Sequence, residues 1–324
     1  MFCTQSTQRP ANNHASDFSF VCGALFVFGV LATPALGQVR GMYSPGSTLT
    51  GAGTLAAPGF SYTNQLWSGA ASELKGPHGN DIPFQPFGTI RIDNNTVTYV
   101  SKFKFADAHL EFSIDIAFSN GRFSLRDPFL GGHAESASAI GLTNTDFVPL
   151  GLGWQWKHVD FQTSYAVSAP TGSYTPGANN NLNSDYWTFF LQTGATIYLY
   201  KSKSTQISLF NVYAWNTTQK GTGIHPGQND SLDYSLSQTF SLSKRGNWSL
   251  LAGVAGYGQW ETTNSSGLGP IRDSLKYRVT ASGFTLELNT PYKGFNVGTG
   301  WLWEYGARNT FQGRSMTITV GLQF

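Results

Sequence analysis

Charge is scarce in this chain. Of 324 residues only 20 are Lys or Arg and 18 are Asp or Glu, 12% together, which is about half the share found in an ordinary soluble domain. Disorder is not the explanation, because disordered chains are also poor in aromatics and this one carries 24 Phe, 14 Tyr and 9 Trp. Long apolar runs are missing as well. None reaches the roughly 18 residues that a membrane-spanning helix requires, and the mean hydropathy is −0.19, so a helical membrane bundle is excluded. A net charge of +2 without a basic cluster gives nucleic acid nothing to meet. Cysteine is nearly absent: Cys3 and Cys22 are the only two.

Both cysteines fall in a leader. Residues 18–32 form the one strong apolar block, the length of a signal-peptide core and short for a span. Ala35-Leu36-Gly37 follows with small residues where a signal peptidase reads. The expectation is a signal peptide over 1–37 and a mature chain that begins at Gln38 and has no cysteine, hence no disulfide, thiol catalysis or thiolate metal site. Residues 38–59, rich in Gly, Ala, Ser, Thr and Pro, show no alternation and are expected to hang in the periplasm or to plug the lumen.

From residue 60 onward the apolar pattern has period two, the signature of strands with one greasy and one polar face. Leu110, Phe112, Ile114, Ile116 and Phe118 alternate with Glu111, Ser113 and Asp115. Twelve segments of about ten residues are centred near 63, 100, 114, 152, 164, 192, 210, 237, 254, 281, 301 and 318. Tight turns at 106–108, 157–158, 201–204 and 244–247 alternate with long polar stretches at 68–95, 120–145, 170–185, 216–230 and 262–273. Short turns on one side and mostly long connections on the other predict an all-β fold: a transmembrane antiparallel β-barrel over 60–324 with about 12 strands, periplasmic turns, extracellular loops and both termini periplasmic. A β-sandwich has no reason to alternate loop length in this way. Trp67, Trp154, Trp156, Trp187, Trp215, Trp260, Trp301 and Trp303 fall near strand ends, where an interfacial girdle belongs. In the last strand Met316, Ile318, Val320, Leu322 and Phe324 alternate with polar or small residues and resemble the signal read by the outer-membrane assembly machinery.

The loop Ala169-Pro170-Thr171-Gly172-Ser173-Tyr174-Thr175-Pro176-Gly177, preceded by Asp146-Phe147-Val148-Pro149-Leu150 and followed by Tyr186-Trp187, resembles the outer-membrane family named after the meta-cleavage pathway of phenol degradation. The resemblance covers about residues 110–324 and is sharpest at Pro170, Thr171, Gly172, Tyr174, Pro176 and Gly177. It implies a barrel that admits aromatic or other hydrophobic compounds. From chain physics alone the same loop reads as a turn, with Pro fixing φ and Gly freeing it.

Catalytic signals are weak. Ser119-Asn120-Gly121-Arg122 resembles the serine motif of the outer-membrane phospholipase, whose general base sits two residues earlier; Ala117 occupies that place here, and a serine without a base keeps its proton. No histidine pair has metal-ligand spacing, and no glycine-rich phosphate loop opens a helix, so neither a metal nor another cofactor is expected. The phase that turns Phe112, Ile114 and Ile116 toward lipid turns Lys102, Lys104, Glu111, Asp115, Asp160, Asp233, Lys276, Arg278 and Glu304 toward the lumen, since a charge at mid-membrane is unfavourable, by about 2–4 kcal/mol for the basic types. In the hairpin around 106–108, setting Phe105 opposite Leu110 places Lys104 opposite Glu111.

The sequence therefore predicts a non-enzymatic, passive outer-membrane route for small hydrophobic or aromatic solutes, with outer-membrane lipid and the barrel-assembly machinery as partners. The alternatives are a phospholipase-like lipid hydrolase and a plugged structural or surface barrel.

Overall fold

The computed structural model describes residues 40–82, 85–126, 134–178, 180–243, 248–269, 273–292 and 294–324. The leader over 1–37, the turn at 244–247 and His133 lie outside the described residues. Twelve strands run in chain order: β1 (Gly59–Lys75), β2 (Gln85–Phe105), β3 (Ala108–Arg126), β4 (Ala134–Gln155), β5 (Val159–Ala169), β6 (Thr188–Tyr198), β7 (Thr205–Asn216), β8 (Asn229–Ser241), β9 (Ser249–Glu261), β10 (Arg278–Asn289), β11 (Asn296–Arg308) and β12 (Thr310–Gln323). Each pairs antiparallel with its neighbours in sequence, and β1 pairs with β12, closing the barrel. Closure leaves no edge strand within the wall, the condition a sheet must meet in lipid.

Alternation sorts the two faces. Val97, Tyr99, Phe112, Ile116 and Phe118 are exposed on the outer surface, whereas Val100, Ala117 and Ser119 are buried inside. The outer face of β12 carries Met316, Ile318, Val320 and Leu322 beside Ser68, Leu66, Asn64 and Tyr62 of β1. Asn64 and Asn95 interrupt this apolar surface and offset the cost by bonding each other at 3.2 Å, with Tyr62 donating to Asn95 at 2.7 Å.

Three expectations are corrected. The first four strands are 17, 21, 19 and 22 residues long, not about ten; much of the expected loops 68–95 and 120–145 is strand. Because β5 stops pairing at Thr145↔Ala169, residues 134–144 of β4 stand above it with a free edge. The loop 170–187 covers part of that edge: the Thr171 hydroxyl donates to the Thr143 carbonyl at 2.8 Å. Secondly, the alternation of connection lengths fails at β11–β12, where Asn309, at φ 51°, is the whole connection. Thirdly, the β2–β3 register differs. The loop is two residues, Ala106 and Asp107, both at positive φ (48° and 62°), as a type I′ turn requires. Phe105 pairs with Ala108 and Lys104 with His109, and after a bulge between Val100 and Lys104 it is Val100 that faces Glu111.

Candidate functional site

Residues 40–58 lie inside the barrel. The many small residues of this stretch and the positive-φ glycines Gly46 and Gly51 let an irregular, turn-rich backbone fit the lumen, and the backbone polar groups, which cannot be left bare, bond to inward-facing side chains. The Gly53 amide donates to Thr196 at 2.9 Å, Gln162 donates to the Ala52 carbonyl at 2.6 Å, and Gln155 to the Leu55 carbonyl at 3.0 Å. Where this segment touches the wall, glycine replaces larger residues: a Cβ on Gly194 would stand 1.8 Å from the Ala52 oxygen, and one on Gly300 would stand 2.0 Å from Leu49.

Three carboxylates anchor the segment. Arg40 pairs with Glu304 on the adjacent wall, with Nη2 to Oε2 at 3.1 Å, and also donates to the Phe311 carbonyl. Burial alone would lower the Arg40 pKa, but the Glu304 charge and hydrogen bonds hold it above its ordinary value, so the pair stays ionic. Asp233, fully buried, accepts from the Tyr43 hydroxyl at 2.7 Å, the Gly46 amide at 2.9 Å and the Thr48 amide at 3.2 Å. Burial, then the Asp233 charge, push the Tyr43 phenol well above its usual pKa, so it remains a donor. Lower down, Asp160 accepts from Thr54 at 2.9 Å, Tyr198 at 2.7 Å and Lys203 at 3.0 Å.

Two cavities meet the segment on either side of Gly46. One of about 210 Å³ opens toward the long-loop end, lined by residues 40–45 and by Trp67, Ile90, Ile92, Ala139 and Leu182. The other, about 190 Å³, lies toward the short-turn end and is lined by residues 47–50, Gln65 and Glu287. The first is walled by the extensions of β1–β4 and roofed by 181–184 of the 170–187 loop. In that loop Asn183 donates to the Gly172 carbonyl, Asn181 accepts from the Thr175 amide at 2.7 Å, and Tyr174 and Pro176 pack against Gly221. The Pro170–Gly177 motif thus builds the roof and contributes no lining side chain of its own.

Of the charged residues expected in the lumen, Glu111, Asp115, Asp160, Asp233 and Glu304 face inward, and Asp115 sits directly opposite Asp146. Lys102 and Lys104 are exposed at the turn end, within and beside the bulge. Lys276 precedes β10 and donates to the Thr262 carbonyl at 2.6 Å. Arg278 is on the outer face beside Trp260. The reason is that β10 turns Val279 and Ala281 inward, where they pack with Leu49 and Leu302; an apolar plug makes part of the lumen wall apolar, so hydropathy misassigns the side. Trp67 likewise leaves the expected girdle and lines the cavity, its indole lying over Gly69. Trp187, Trp260 and Trp303 are exposed on the outer surface, and Trp154 stacks on Trp156 at 6.4 Å near the short turns. Ser119 borders the cavity beside Ala117 and Gly121.

A closed twelve-stranded barrel with an apolar outer band and a threaded lumen defines an outer-membrane-type β-barrel. Residues 71–320 match the family described as "Putative MetA-pathway of phenol degradation", and the chain belongs to that family. Among solved structures, the COG4313 outer membrane channel from Pseudomonas putida F1 superposes with a TM-score of 0.64 at 13% identity, covering 87% of this chain and 100% of that one. The β domain of the Bordetella autotransporter BrkA gives a TM-score of 0.53 at 9% identity, covering 83% of this chain and 100% of that one. At such identities the likeness is one of fold. No curated protein sequence matches the chain.

Proposed function

We propose that this protein is a passive outer-membrane conduit for small hydrophobic or aromatic molecules, closed in the present state by residues 40–58. The observation that carries the reading is the pair of cavities on either side of Gly46: a solute pocket on the long-loop side, walled by Trp67, Ile90, Ile92 and Ala139, and a second space beside the plug on the short-turn side, lined by residues 47–50. A pocket whose exposed lining is mostly apolar, though it also meets Arg40, Glu304 and several Ser and Asn residues, suits an uncharged, largely apolar solute with a polar group to place. The family's description and the channel title of the Pseudomonas relative support the same class. In this reading the leader 1–37 is removed after export, the long loops face outward, both termini are periplasmic, and the alternating β12 residues are read by the assembly machinery. Glu111 and Asp115 line the path, while Ser119 has no base at Ala117 and performs no hydrolysis.

The test is flux through the refolded protein in liposomes. An aromatic solute is expected to enter faster than a sugar of similar mass; equal entry, or none for either, overturns the reading.

A further inference from the structure

The outer face holds a feature that a conduit does not need. Arg278 of β10 and Arg308 of β11 are Cα partners, both exposed and both facing outward. Like charges directly opposite one another destabilise a sheet, and among the described residues no ion pair relieves them: those pairs involve Arg40, Lys75 and Lys203. Carboxylates on the surrounding strands are engaged elsewhere. Glu304 holds Arg40, Glu261 accepts from Ser265 at 3.0 Å, and Glu73 pairs with Lys75. Arg314 of β12, also exposed and outward, is partnered by Trp303 on the same surface.

These arginines sit immediately above the apolar band. One row down from Trp303 and Arg314 come Trp301 and Met316, with Phe284 facing Trp301 from β10. Trp260 flanks Arg278 on its other side. The opposite wall is different: there Tyr165, Phe189 and Trp215 cluster with ring centroids 6.0–6.3 Å apart and Asn211 donates to Asp230, with no arginine on β5–β8.

We infer that β10–β12 form a docking surface for the phosphorylated glycolipid of the outer leaflet. Guanidinium groups bind phosphate bidentately, and a phosphate between Arg278 and Arg308 turns their repulsion into shared attraction. Acyl chains of the same molecule continue down over Phe284, Trp301 and Ile318, which a free anion cannot do. The inference rests on the proposed orientation, with the long loops outermost.

Two measurements separate its failure from that of the reading beneath it. The refolded protein is incubated with phosphatidylethanolamine vesicles containing diphosphoryl lipid A, extracted in mild detergent, and its bound lipid weighed by mass spectrometry. Wild type is expected to retain lipid A. The Arg278→Gln/Arg308→Gln variant should lose roughly tenfold while keeping the heat-modifiable gel migration of a folded barrel and unchanged aromatic flux. Arg278→Lys/Arg308→Lys, which keeps charge without the fork, should fall between them. Equal retention by wild type and the Gln variant overturns the proposal, as does displacement of the lipid by millimolar inorganic phosphate, which would mark a free-anion site. Orientation is read separately by labelling Thr222→Cys on intact cells; a residue unreachable from outside overturns the placement in the outer leaflet.

Discussion

Tyr43 and Asp233 lie 190 residues apart and share a hydrogen bond of 2.7 Å across the lumen. The same carboxylate gathers the amides of Gly46 and Thr48, so one side chain of β8 fixes the turn that separates the two cavities.

Asp233→Ala should therefore loosen the closure. It removes three hydrogen bonds accepted by one buried carboxyl, each worth about 0.5–1.5 kcal/mol, from a segment that is not part of the wall. Planar-bilayer recordings are expected to show larger and more frequent openings with the barrel intact; a conductance identical to wild type would mean that the 43–48 turn does not gate the path.

Gly194→Val tests the same closure from the wall side. Its Cβ cannot coexist with the Ala52 carbonyl, a backbone group that moves only with the plug itself. Residues 52–53 should lift from their seat, exposing their amides to rapid hydrogen exchange and raising conductance.

Filling the upper cavity should act in the opposite direction. Ala139→Phe places a ring in a space of about 210 Å³ and should cut aromatic flux several-fold without changing thermal stability by more than about 1–3 kcal/mol. Flux equal to wild type would show that solutes bypass the pocket.

Charge selectivity follows from Glu111 and Asp115. Both face the lumen and neither forms an ion pair among the described residues. Glu111→Gln/Asp115→Asn in an open background such as Asp233→Ala should shift the reversal potential in a salt gradient toward anions. An unmoved potential would place both outside the ion path.

The β2–β3 turn carries a cost that can be removed. Ala106 and Asp107 hold positive φ values that Asn and Gly adopt with less strain. Ala106→Asn/Asp107→Gly should stabilise the barrel by about 1 kcal/mol, measured by urea unfolding in detergent.

Much of the wall was readable because the period of a strand is two. The β2–β3 partners lie two residues from the expected register at Phe105 and four at Glu111; both shifts are even, so Glu111 and Asp115 still face the lumen. The heights of β1–β4 were not readable, since a strand continues above the membrane with no change in backbone and only a gradual loss of apolar residues. Arg278 and Trp67 were assigned to the wrong side because the lumen here is partly dry: Val279, Ala281 and Leu302 pack on Leu49, and hydropathy cannot tell a plug from lipid. The path of 40–58 left no trace in its own pattern, having none.

That path is specified elsewhere. Leu49, Ala52 and Leu55 each rest on a wall position where a side chain would collide, at Gly300, Gly194 and Gly153. A segment with no periodicity has acquired a register from its container. The contact is tightest where backbone meets backbone: a Cβ on Gly194 would meet the Ala52 carbonyl and one on Gly53 the Asp160 carbonyl, whereas at Gly300 and Gly153 it would meet only the ends of Leu49 and Leu55, which can turn aside. Relatives that keep the barrel but carry a side chain in place of Gly194 should thread their N-terminal segments differently or not at all, so the identity at one distant wall position bears on whether a family member rests shut.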